Sequence, residues 1–162
     1  MAPRDSLRSR FYTAERLVLN MFDRAGPTRT VQIAGTELTL PVEARFASID
    51  SVRDHVREVL AMPAVQDRFP RAAVQVSVRA RRGFRLAHYE PESATIAIPE
   101  SREGRWAMRE LVALHEIAHH LDDSGGPAHG PGFANTLIDL AGIVLGPEVA
   151  FVYRVVLADS GL

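Results

Sequence analysis

The chain has 162 residues, 46% apolar and 24% charged, which suits one soluble globular domain with a real core. Its formal charge of −1 gives no general attraction to nucleic acid or to an anionic membrane, and all nineteen basic residues are arginine. With no cysteine, disulfides and thiolate ligands are excluded, so any metal must be held by histidine and carboxylate.

Met1 to Arg10 is arginine-rich but is not followed by an apolar stretch, which argues against a secretory signal. No apolar run approaches the roughly 18 residues that a membrane span needs. A cytoplasmic protein is therefore expected.

Ser6 to Arg24 places Phe11, Leu17, Val18, Met21 and Phe22 near helical spacing, and Gly26-Pro27 ends that helix. Thr30 to Leu40 reads as a hairpin around Ala34-Gly35, closed by Pro41. Ile49 to Met62 carries Val52, Val56, Val59 and Leu60 on one helical face, and Pro63 is expected to stop it. Ala73 to Arg79 alternates Val74, Val76 and Val78 with polar residues, the pattern of a strand. Two short strands, Phe84 to Tyr89 and Ala94 to Ile98, follow around the turn Glu90-Pro91-Glu92-Ser93. The next helix is expected to begin near Ser101 to Arg105. Helices over Gly132 to Leu145 and Pro147 to Ala158 complete the chain, separated by Gly146-Pro147. With no repeat or linker, the expectation is a single α+β domain over residues 1–162: helix, hairpin, helix, three strands, then helices.

The chemistry is concentrated in His115-Glu116-Ile117-Ala118-His119. At about 100° per residue, positions 115 and 119 lie about 40° apart on a helix, so both imidazoles share a face and can reach one ion. Glu116 lies about 100° from His115, beside an ion rather than under it, which suits a carboxylate that takes a proton from water. Six histidines make a chance match roughly a one or two per cent event, so context has to carry part of the argument. Trp106, Leu111, Val112, Leu114, Ile117, Ala118 and Leu121 are core-facing material around the motif, and Asp122 to Gly126 supplies a stop. Downstream, His129-Gly130-Pro131-Gly132-Phe133 offers a third imidazole in a loop whose glycines let it fold back toward an ion. Glu148 is the only glutamate after the motif and is the other candidate for a third ligand.

These residues resemble the zincin metallopeptidases. The pattern His115-Glu116-x-x-His119 preceded by short strands looks like their arrangement, in which a small mixed sheet packs on the active-site helix and further helices follow. His129-Gly130-Pro131-Gly132-Phe133 is similar to the His-Gly-x-x-Phe element of SprT-like and WLM-type proteases. The chain also looks like a small actinobacterial family described as metallohydrolases. The resemblance spans Tyr89 to Leu140. It implies Zn²⁺ held by His115, His119 and His129, with Glu116 as general base. A metzincin would place a glycine at position 122 and its third histidine at position 125, where this chain has Asp122 and Gly125. A gluzincin would take a later glutamate, which here means Glu148.

The expected function is a zinc-dependent hydrolase acting on peptide or protein. The strand Ala94 to Ile98 suits a cleft edge that pairs with an extended substrate, or equally an interior strand. Two other readings stand beside it: a zinc-stabilised binding or regulatory module without catalysis, and a zinc hydrolase of small amides or esters. Among the remaining residues, His120 points away from the ligand face and reads first as surface or packing, with support of a metal ligand as the other reading. Asp122, Asp123 and Asp139 are candidates to orient a ligand imidazole, with Asp139 favoured because it interrupts an apolar helix. Tyr89 and Tyr153 are candidates to donate to an oxyanion but read first as structural tyrosines. His55 and His88 read as ordinary side chains. Arg79, Arg81, Arg82 and Arg85 form a basic cluster that could meet nucleic acid, although a solvated turn is the commoner meaning.

Overall fold

The computed structural model describes residues 5–83, 86–100 and 106–162. The protein is α+β, with helices α1 (Arg8–Arg24), α2 (Ile49–Ala61), α3 (Pro63–Arg68), α4 (Glu110–Leu121), α5 (Pro131–Leu145) and α6 (Pro147–Asp159). Its strands are β1 (Thr30–Ile33), β2 (Thr36–Thr39), β3 (Ser77–Arg81), β4 (His88–Glu90) and β5 (Thr95–Pro99). No helix among the described residues is long and apolar enough to cross a membrane.

The chain forms two compact units, one ending at Val42 and resuming over Ser124–Leu162, the other Glu43–Asp123. In the first, α1 buries Phe11, Ala14 and Val18, which recur at helical spacing, and packs on α6. Helices α5 and α6 lie against each other with Gly142 at the contact. A Cβ there would stand 3.1 Å from the Ala150 methyl, closer than the neighbour accepts without moving. The hairpin pairs Thr30 with Thr39 through Ile33 with Thr36. Its two-residue turn puts Ala34 at φ 51° and Gly35 at φ 74°, the double left-handed conformation that matches strand twist.

In the second unit the three-stranded sheet runs β3-β5-β4, parallel between β3 and β5 and antiparallel between β4 and β5. All five residues of β5 are buried and the strand is paired on both sides. It is thus the interior strand, and the edge role considered for Ala94 to Ile98 is excluded. Helix α2 opens on a capping box between Ser48 and Ser51 and buries Val52, Val56, Val59 and Leu60, as its spacing predicts.

Three local expectations are corrected. Pro63 does end α2, but it also opens α3 from its first position, where a missing N–H costs nothing. The strand expected from Ala73 begins only at Ser77. Pro70–Ala73 is a 3₁₀ turn, and pairing starts where Ser77 meets Thr95. The motif helix begins at Glu110, several residues later than its apolar content suggests, and Trp106 remains exposed. The residues proposed for its start, 101–105, lie outside the described residues, as do 84 and 85 of the second predicted strand.

The late start of α4 has a physical cause. Residues 108–110 pair as extended backbone with 44–46: Phe46 N–H donates to the Met108 carbonyl, and Glu110 N–H donates to Ala44. The helix then takes its cap from a distant side chain. Glu43 Oε2 accepts the Leu111 N–H at 2.9 Å, and the Glu43 carboxylate also receives a two-pronged bond from Arg109 at 2.9 and 2.6 Å. Glu110 returns the exchange by accepting the Ala44 N–H at 3.0 Å. All three charged side chains are buried.

His55 Nε2 lies 3.1 Å from Glu110 Oε2, so His55 belongs to this buried cluster rather than standing apart. Burial raises the Glu110 pKa, but His55 and the Ala44 N–H outweigh it and hold the carboxyl below its ordinary 4.5. A carboxyl depressed on folding contributes stability above its unfolded pKa, and that contribution disappears as pH falls through the folded value. The protein is therefore expected to lose stability as pH drops below about 4.5. Urea unfolding across acid pH should show a shallower slope for Glu110→Gln, and an unchanged slope would remove Glu110 as a source.

Candidate metal centre

Helix α4 delivers its histidines as the spacing requires. His115 Nε2 and His119 Nε2 stand 3.2 Å apart, with ring centroids 4.9 Å apart and planes 69° from each other. His115 is buried and His119 half-buried. Zinc–nitrogen bonds of 2.0–2.1 Å in a tetrahedral site set neighbouring ligand nitrogens about 3.3 Å apart, so this pair already has the separation an ion needs. Glu116 is buried in the same turn of α4.

His129 precedes α5 in a tight loop, where Gly130 N–H donates to the Pro127 carbonyl at 3.0 Å. A Cβ on Gly130 would meet Pro127 at 3.1 Å, so the glycine makes room for this turn. The His129 ring sits among Phe11, Tyr12 and Phe133, with centroids 5.5, 5.3 and 5.3 Å away. Its Nδ1 is 2.5 Å from Asp5 Oδ2.

His115, His119 and His129 form a group in which one ligand atom of each lies within 4.8 Å of the others. Three imidazoles that close, two of them at the tetrahedral spacing, make a donor set that fits a divalent borderline ion. The three histidines could hold a metal ion. Glu148, the other candidate for a third ligand, is exposed in the first turn of α6 and is not in this group.

Several neighbours have definite work. His120 is fully buried, which excludes the surface position. Its Nε2 is 3.0 Å from the Val74 carbonyl, which can only accept, so Nε2 carries the proton. Nδ1 then accepts from the Tyr89 hydroxyl at 2.8 Å. Burial pushes the His120 pKa down, the Val74 carbonyl partly restores it, and Arg71 lowers it again, all consistent with a neutral ring. The Tyr89 hydroxyl thus holds β4 to α4. Tyr153 is buried in α6 and Asp139 is part-buried on α5. Asp122 ends α4 through its backbone N–H to Ala118, the terminating role its composition suggests, and Asp123 is exposed.

Two arginines of the basic cluster are tied into their own turn, and Arg85 lies outside the described residues. Arg79 binds Glu90, and Arg81 donates to the Leu86 carbonyl. His88 also reaches Glu90 at 2.9 Å, and first His88 and then Arg79 hold the Glu90 carboxyl below its ordinary range.

Residues 43 and 5 are the contributors that the sequence does not announce. Glu43 caps the motif helix and Asp5 meets the imidazole of His129, each across a long stretch of chain. Searches against protein-family models, curated proteins and solved structures return no match to this chain.

Proposed function

We propose that the protein is a zinc-dependent hydrolase of the zincin type, acting on peptide bonds. The observation that carries this reading is the grouping of His115, His119 and His129, with Glu116 one residue along the same helix. Three protein ligands are the number used in catalytic zinc sites, which keep a position open, whereas structural sites close with four. Zinc bound there would polarise a carbonyl and acidify water.

The chain's own part in the reaction falls to Glu116. Its carboxylate takes a proton from the attacking water as the new C–O bond forms, and passes it to the nitrogen as the C–N bond breaks. Placing Glu116 in a buried helical turn fixes it relative to both α4 histidines. An extended peptide would add to β4, the edge strand that packs on α4, because β5 is already paired on both sides.

Elemental analysis of the dialysed protein beside His129→Ala tests the reading. About one zinc per chain in the wild type, sharply reduced in the variant, is expected for a three-histidine site. No zinc in either would overturn the metal reading. Zinc undiminished in the variant would move the third ligand to a carboxylate. In the zinc-loaded wild type, a peptide library left intact while small amides turn over would reassign the substrate.

A further inference from the structure

We infer that Asp5 is the positioning residue for His129, so that the segment before α1 sets how tightly the metal is held. This rests on the metal reading above. Asp5 lies in the turn leading into α1, where its carbonyl accepts the Arg8 N–H at 3.3 Å. Its carboxylate Oδ2 stands 2.5 Å from His129 Nδ1, across 124 positions of sequence. A carboxylate accepts hydrogen bonds, so the contact places the proton on Nδ1 and directs the Nε2 lone pair to an ion. It also raises the basicity of that lone pair.

The same segment walls the ring. Phe11 and Tyr12, consecutive residues about one turn into α1, lie tilted against His129 at 5.5 and 5.3 Å, and Phe133 approaches on its edge at 5.3 Å. These contacts hold the plane of the imidazole, while Asp5 fixes its rotation within that plane and its tautomer. His115 and His119 are carried on helix α4. His129 precedes its helix in a loop, so its aim depends on side-chain partners. That asymmetry makes Asp5 the residue through which the start of the chain acts on the third ligand.

The test is zinc affinity of the full-length protein, by competition with a chromophoric chelator, for the wild type, Asp5→Ala, Asp5→Asn and His129→Ala. Asp5→Ala is expected to bind zinc about 10–100-fold more weakly. Asp5→Asn retains a carbonyl acceptor without the charge and is expected to fall between it and the wild type. Thermal unfolding with and without zinc separates positioning from simple destabilisation. Loss of positioning shrinks the zinc-induced rise in Tm, whereas a structural role lowers both curves together and leaves that rise intact. Wild-type affinity in Asp5→Ala, with His129→Ala impaired, would overturn the inference and leave the metal site standing. No zinc binding by the wild type would instead overturn the site itself.

Discussion

Glu116→Gln is expected to bind zinc as the wild type does while hydrolysis falls by about 10²–10⁴-fold, the usual contribution of a positioned general base. The substitution keeps the size and shape of a side chain that is buried in α4. It removes only the ability to take up a proton. The grouped ligand atoms belong to His115, His119 and His129, so metal content should be untouched. The check is zinc content by elemental analysis alongside cleavage of a peptide library at matched metal occupancy. Retained cleavage would remove Glu116 as the base. Loss of zinc in the variant would place its carboxylate among the ligands, and the site would then resemble a closed structural one.

The difference between what the sequence disclosed and what it hid follows chain separation. His115 and His119 are one helical turn apart, so their shared face is a property of local geometry and their 3.2 Å approach follows. The Ala34-Gly35 turn and the proline-opened helices α5 and α6 are equally local. Alternation at Val74, Val76 and Val78 marked a strand but not its start, because pairing depends on where β5 begins at Thr95. His120 illustrates the same limit. Its angle on the helix excluded the ligand face, but only the positions of Tyr89 and Val74 decide that it is buried rather than exposed. Asp139 drew attention by interrupting an apolar helix. A carboxylate that does meet His129 is Asp5, which no local pattern marks, and Glu43 reaches α4 from 68 residues away. Carboxylates that act at a distance leave no periodic signal.

Glu43→Ala is expected to cost about 3–5 kcal/mol, the range for breaking a buried ion pair by removing one partner. Set against a typical total stability of about 5–15 kcal/mol, this is a large fraction of what holds the fold. The cost has two parts. Arg109 is 5% exposed and loses the carboxylate that takes both prongs of its guanidinium. Leu111 loses the acceptor for an N–H in the first turn of α4, where no side chain of the helix's own N-cap residue replaces it. Removing both charges together, as in Glu43→Leu with Arg109→Met, should recover much of the loss, because an apolar pair of similar volume carries no uncompensated charge. Urea unfolding of the two single variants and the double variant measures this coupling directly. A Glu43→Ala cost under about 1 kcal/mol would mean that the pair is no more than a solvated surface bridge in energetic terms. Since α4 carries His115 and His119, loosening its first turn should also weaken zinc binding, and the Glu43→Leu/Arg109→Met variant should bind zinc more tightly than Glu43→Ala.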